Sequence, residues 1–217
     1  MPALDLRRAA YGFAAELTNL LNNTVTHGVR ITAVIEPNRS IAKVGYRIKA
    51  DDLVPQAGIP LTLGASSPRG YLLLYYRLRA DDERIYLAVQ SSVMGLCADA
   101  ELETPLMHYD YERDKGDGYP EAHLQIEAEA TAWTQLRVRC ARDSDPLNKL
   151  HFPVGGRRYR PTLEDVIEFL ACERLAATRP DWQQRVEEGR ERFRKKQLRA
   201  AVRRDPETAR EALADHG

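Results

Sequence analysis

YLLLYYRLRA, residues 71–80, and RIYLAVQSSV, residues 84–93, flank the short polar segment 81–83. Two runs rich in aromatic and β-branched residues on either side of a short polar connection are typical of an antiparallel β-hairpin. The first run is apolar without interruption from Leu72 to Tyr76. We therefore expect it to be a central strand that is covered on both faces.

Further segments on both sides of this hairpin have the composition of strands. Two precede it, at 29–36 and 40–50, and two follow it, at 105–113 and 122–130. Residues 51–70 contain six prolines and glycines, which predicts a long loop with a short strand at 59–63 as the alternative. The centre of the chain is therefore predicted to be an antiparallel meander.

Apolar residues recur at helical spacing from residue 4 to about residue 22 and again from 161 to 176. The second segment opens with Pro161 and Thr162 ahead of two acids, a typical helix start. The predicted fold class is α+β, an antiparallel meander flanked by an N-terminal and a C-terminal helix. We place this domain at 1–178 and a charged helical extension at 179–217.

The composition restricts location and cofactor. Hydrophobic residues make up 43% of the 217 residues and the formal net charge is +0, so overall charge does not attract nucleic acid or anionic membrane. Three cysteines without disulfide or zinc spacing, and no apolar run long enough for a signal peptide or a membrane span, predict a cytoplasmic protein without membrane contact. No P-loop, dinucleotide fingerprint or metal motif occurs, so no cofactor and no metal site are predicted.

One strand carries a set of polar side chains at period two. His108, Asp110 and Glu112 share one face of the strand 105–113, and His123 lies on the next strand along the chain. Hairpin geometry can therefore bring His123 within reach of His108 and Asp110. Alternating polar residues on a half-exposed sheet are the competing interpretation.

The segment LHFPVGGRRYRP, residues 150–161, is a second candidate. Arg157, Arg158 and Arg160 place three guanidinium groups beside a helix start, where free N–H groups favour anions. A phosphate site is one interpretation, and a tight connection with solvated arginines is the other. His151 is either a general base or a packed histidine.

Together, these side chains match the requirements of RNA cleavage without a metal. One group removes the proton of the 2′-hydroxyl, another protonates the leaving oxygen, and cations stabilise the charged phosphorus centre. The predicted catalytic residues are His108, Asp110, His123 and His151.

The extension contains a basic segment, residues 185–204, with nine basic and three acidic residues and hence a net charge of +6. Arg192, Arg194, Lys195 and Lys196 are the predicted contacts to RNA or DNA. Alternatives left open are a solvated helix face and a helical contact that forms a homodimer.

Four motifs in order, HYDYE (108–112), AHLQI (122–126), HFP (151–153) and TLEDVIEFL (162–170), give the chain a likeness to a known family. The chain resembles the TumE-type toxin-like proteins of bacterial toxin–antitoxin modules. The resemblance covers residues 1–176 and implies an RNA-directed toxin with a cognate antitoxin and functional residues at Asp110, His123 and His151. The rival hypothesis is a non-catalytic protein that binds a protein or nucleic acid through its sheet and its basic helix.

Overall fold

The computed structural model describes residues 3–36, 40–64, 67–116, 120–128, 131, 150–154 and 160–215. Eight strands lie within these ranges: β1 Ile31–Ile35, β2 Ile41–Tyr46, β3 Ile59–Pro60, β4 Tyr71–Ala80, β5 Leu87–Cys97, β6 Pro105–Glu112, β7 Ala122–Ile126 and β8 Phe152–Pro153. The same ranges contain α1 Leu6–Asn22, α2 Leu163–Cys172, α3 Trp182–Arg204 and α4 Pro206–Ala214. The predicted α+β class, with helices at both ends of a β meander, is confirmed.

All eight strands belong to one antiparallel sheet, in the order β1-β2-β4-β5-β6-β7-β8, with β3 paired to β4. The short strand β3 lies within residues 59–63, where a short strand was predicted as the alternative to a continuous loop. Strand β4 is internal and has the bounds that the sequence predicted. Strand β7 ends at Ile126, earlier than the predicted residue 130.

Only one face of β4 is fully covered, so the prediction that both faces are covered is wrong. Leu72, Leu74, Tyr76 and Leu78 are buried, whereas the residues between them are half-buried. The buried residues form the main core with the apolar sides of α1 and α2. We call this side the helix face. The opposite side carries His108 and Asp110 and is called the histidine face.

Helix α1 begins where the side chain of Asp5 accepts a hydrogen bond from the Arg8 N–H at 3.0 Å. Its apolar stripe is buried against the sheet, and the ring of Phe13 meets that of Tyr76 edge-on with 5.1 Å between centroids. The start of helix α2 is also capped by a carboxylate. Asp165 accepts a hydrogen bond from the Thr162 N–H at 2.8 Å. Helices α1 and α2 together cover the helix face of the sheet.

The first half of α3 packs against α2. Val186 and Gly189 are the buried residues of α3, and a Cβ added at Gly189 would collide with the side chain of Glu164. Arg190 bonds Asp165 at 3.0 Å and pairs with Glu168 on α2. The predicted boundary near residue 178 therefore lies ahead of a helix whose first half contacts the domain. No helix among the described residues has both the length and the apolar character to cross a bilayer.

Candidate functional site

The register of β6 and β7 brings the predicted polar residues together. Asp110 lies directly opposite His123, and His108 lies directly opposite Gln125. Alternate residues of a strand share a face, so all four side chains belong to the histidine face. The predicted approach of His123 to His108 and Asp110 is confirmed.

Asp110 is the centre of the cluster. Its Oδ2 lies 3.6 Å from the Nε2 of His108 and 3.7 Å from the Nε2 of His123. Its Oδ1 is buried and has no hydrogen-bond partner within the described part of the chain. One carboxylate oxygen thus faces two imidazole nitrogens, and the other has unused acceptor capacity.

The orientation of His123 is set by the backbone. Its Nδ1 lies 3.1 Å from the carbonyl oxygen of Pro120, which only accepts, so Nδ1 carries a proton and donates it. In the neutral ring, Nε2 then presents a lone pair to the Oδ2 of Asp110. The two atoms are 3.7 Å apart.

His108 is the more exposed of the two imidazoles. Its side chain is 23% exposed, and its Nε2 lies 2.9 Å from the Oε1 of Gln125, to which it donates. The carboxylate of Asp110 raises the pKa of His108 by hydrogen bonding and by its charge, while burial opposes the increase. His108 therefore keeps its second proton to higher pH than an ordinary imidazole.

His151 completes the cluster. Strand β8 pairs with β7, with Pro153 opposite His123, and His151 lies immediately before β8. The rings of His151 and His123 are 4.5 Å apart between centroids, at an angle of 63°. Three imidazoles from three segments thus lie together, those of His108 and His123 beside Asp110 and that of His151 against His123.

Arg160 lies on the other side of the sheet. Its guanidinium carbon is 5.9 Å from the ring centroids of Tyr76 and Tyr111 and 5.4 Å from that of Phe193 on α3. Tyr76 and Tyr111 point to the helix face, since their neighbours in the strands point to the histidine face. Burial raises the pKa of Tyr76 to about 12, so the phenol beneath this arginine is neutral.

The prediction that residues 157–160 place cations beside the histidines is therefore wrong for Arg160. The sequence placed Arg160 just before a helix start, but the face of the sheet on which its side chain lies depends on tertiary packing. Arg157 and Arg158 lie outside the described residues.

The basic segment of α3 is partly neutralised by acids. Arg194 donates two hydrogen bonds to Glu191, Lys195 lies 3.4 Å from Glu191, and Lys196 lies 3.4 Å from Glu16 on α1. Arg192 lines the same cleft as Arg160, beneath α3. Nucleic-acid binding by this helix stays a prediction; Glu191 is already included in the net charge of +6, and Glu16 on α1 offsets one further positive charge at Lys196.

Gln125 also belongs to the cluster, although it was not among the residues predicted from the sequence. It lies two residues after His123, so the period of two that grouped His108 with Asp110 also places Gln125 beside His123 on the same face. Its amide oxygen fixes the imidazole of His108. Extending the same period along β7 finds this residue.

Known proteins supply no further guidance. Comparison with protein-family models, with curated proteins and with solved structures gives no match to this chain. Among the residues that the structure describes, no three His, Cys, Asp or Glu side chains are arranged to hold a metal ion.

Proposed function

We propose that the protein is an RNA-cleaving enzyme of the toxin class, with the histidine–aspartate cluster as a metal-independent acid–base site. The observation that carries the proposal is the convergence of the Nε2 atoms of His108 and His123 on the Oδ2 of Asp110, at 3.6 and 3.7 Å. Proton transfer between oxygen atoms needs a proton donor and a proton acceptor close to each other and to the reacting atoms.

The reaction that these groups serve is attack by the ribose 2′-hydroxyl on the adjacent phosphate. Asp110 accepts the proton of the 2′-hydroxyl as the 2′-oxygen bonds to phosphorus. The imidazolium of His108 gives its proton to the 5′-oxygen as the bond between phosphorus and that oxygen breaks. The products are a 2′,3′-cyclic phosphate and a 5′-hydroxyl, and no external co-reactant is consumed.

Exposure divides the cluster into two roles. The side chains of His108 and Asp110 are 23% and 31% exposed, so both can touch a substrate. The side chain of His123 is 3% exposed, so it does not reach a substrate and can act only through Asp110 beside it. We assign His108 and Asp110 as catalytic residues, and His123 and His151 as positioning residues.

A cation for the RNA phosphates is present on the same face. Arg77 of β4 lies opposite Ser91 of β5, which in turn lies opposite Glu112 of β6, so Arg77 shares the face of Asp110. It makes no ion pair among the described residues. We propose that Arg77 binds a phosphate next to the cleaved one, in place of the role the sequence gave to Arg160.

The test is a cleavage assay of end-labelled tRNA and total RNA by the purified protein in the presence of EDTA. Fragments that end in 2′,3′-cyclic phosphate are expected. His108→Ala and Asp110→Asn should each lower the rate by about 100-fold or more, because each removes a proton-transfer group. His27→Ala is the matched control, since His27 is exposed and outside the cluster.

Cleavage that His108→Ala leaves undiminished would indicate a contaminating nuclease, and cleavage of no RNA would overturn the enzymatic proposal. The toxin class is tested separately, by inducing the protein in a bacterial host. Wild-type protein should arrest growth and His108→Ala should not. Growth arrest that persists with His108→Ala would separate toxicity from this site.

A further inference from the structure

Within the described part of the chain, strand β1 forms one edge of the sheet and pairs only with β2. Its sequence, ITAVI at Ile31–Ile35, contains no charge and no proline, and its pairing with β2 shows no bulge. Edge strands of monomeric proteins usually carry such features, because an unprotected edge is a template for another strand. Strand β1 has none of these three features, and the only cap on its outward N–H groups among the described residues is the side chain of Thr18 on α1.

The backbone of β1 alternates between paired and outward groups. The Glu36 N–H donates to the Ile41 carbonyl at 2.9 Å and so continues the ladder to β2. In an antiparallel ladder every second residue bonds its neighbour, so Ile31, Ala33 and Ile35 point their backbone groups away from β2. The Ile31 N–H donates to the hydroxyl of Thr18 at 2.9 Å. Those of Ala33 and Ile35 have no partner within the described part of the chain.

We propose that β1 pairs with β1 of a second copy, antiparallel and centred on Ala33. The segment RITAVIE, residues 30–36, is self-complementary about this centre. Ile31 then lies opposite Ile35 of the second copy, and Arg30 lies opposite its Glu36. The outward backbone groups of Ala33 meet their counterparts at the twofold axis.

Charge argues for a second copy as the occupant. Arg30 is exposed and has no ion-pair partner among the described residues, whereas Glu36 is only 8% exposed and already pairs with Lys43 of β2 at 2.9 Å, so in the dimer Arg30 would join an existing ion pair. In the proposed register Arg30 and Glu36 form a directly opposed pair of the closer kind, about 4.5 Å between Cα atoms. The contact occurs twice across the axis.

The approach to this edge is lined by small and polar side chains. A groove runs between α1 and β1, and its α1 side includes Tyr11, Ala15 and Asn19. Tyr11 is 48% exposed and would be covered by the second copy. A twofold axis perpendicular to the sheet keeps both histidine faces on the same side, so the dimer presents two histidine–aspartate clusters to one surface.

The experiment measures the mass of the full chain by light scattering during size exclusion, over a series of concentrations. Wild-type protein is expected at twice the mass of one chain. Ala33→Pro removes an N–H that points outward and is compatible with an edge strand, so it should fold and run as a monomer. Arg30→Glu places like charges opposite each other twice and should weaken the dimer about tenfold. Arg210→Glu, at an exposed arginine of α4, is the matched control and should leave it unchanged.

A wild-type chain that stays monomeric at every concentration would overturn the proposal. So would a dimer that Ala33→Pro and Arg30→Glu leave intact, or one that Arg210→Glu alone disrupts, since both place the contact elsewhere. Circular dichroism checks that each variant is folded, and Arg30→Glu keeps the test decisive if Ala33→Pro does not fold. The RNA-cleavage assay is independent of this outcome.

Discussion

The imidazole rings of His123 and His151 lie edge to face, with 4.5 Å between their centroids. This contact joins β7 to the segment that leads into β8, so the order of the site depends on the docking of β8. A site built this way on a sheet is more precise than one carried by loops alone.

The ionisation of His108 should depend on Asp110. The carboxylate is the main cause of the raised pKa of His108, so Asp110→Asn should lower that pKa toward the ordinary value of 6.5. An NMR titration of the His108 ring proton measures the change directly. His27→Ala serves to assign the signals, and it should leave the titration of His108 where it was.

The same linkage predicts how stability responds to pH. The folded-state pKa of His108 lies above its unfolded value, so its pairing with Asp110 stabilises the fold fully below about pH 6.5 and the benefit is lost as pH rises through the folded pKa. Urea denaturation of wild type and Asp110→Asn should differ more at pH 5.5 than at pH 8.5. A difference that grows toward alkaline pH would contradict this linkage.

The fold was accessible from the sequence because local patterns specify its elements. Unbroken β-branched and aromatic runs located β4, and the acids after Pro161 located the start of α2. No local pattern indicated on which face of the sheet the helices pack. Leu73 and Tyr75 are as apolar as their buried neighbours, so the half-exposed face of β4 follows from tertiary contacts alone.

The candidate site, like the fold, could be predicted from the sequence only in part. Asp110 and His123 could be paired from period two and a hairpin, since antiparallel register is a local property. The position of Arg160 could not be predicted, because no local pattern indicates which face of the sheet its side chain contacts. The ion pair of Lys196 with Glu16 joins α3 to α1, and local sequence spacing cannot predict a contact between residues so far apart in the chain.

Replacing Ser92 by alanine should stabilise the protein. Ser92 is 2% exposed and its hydroxyl has no hydrogen-bond partner among the described residues, so folding removes a polar group from water without compensation. We expect a gain of about 1 kcal/mol in the free energy of unfolding, measured by urea denaturation. Ser91→Ala is the control, since Ser91 is half-buried on the opposite face and should change little. A loss of stability in Ser92→Ala would mean that water satisfies the hydroxyl.

The closeness of α2 and α3 makes a double mutant informative. Glycine inside a helix costs about 1 kcal/mol relative to alanine, but a Cβ at position 189 would collide with the side chain of Glu164. Gly189→Ala alone should therefore gain little. In a Glu164→Ala background the same change should stabilise by about 1 kcal/mol, measured by thermal unfolding. Equal effects in both backgrounds would show that the two positions are uncoupled.

The attachment of α3 to α2 should depend on one arginine. Arg190 reaches the carboxylates of Glu168 and Asp165 on α2 and holds the pKa of Glu168 below its usual range. Both groups are partly exposed, so solvent screening limits the expected loss in Arg190→Ala to about 1 kcal/mol. Hydrogen exchange should show faster exchange in the first half of α3.

Salt and pH distinguish this contact from general helix packing. Because the folded-state pKa of Glu168 is lowered, its contribution is present above the unfolded value and is lost as pH falls through the folded one. The loss of unfolding free energy caused by Arg190→Ala should thus be complete at pH 7 and smaller in acid or at high salt. Arg194→Ala is the matched control, because Arg194 pairs with Glu191 inside the same helix and does not hold α3 to α2. If Arg194→Ala loosened the first half of α3 as much as Arg190→Ala, the attachment would come from the charge of the helix as a whole.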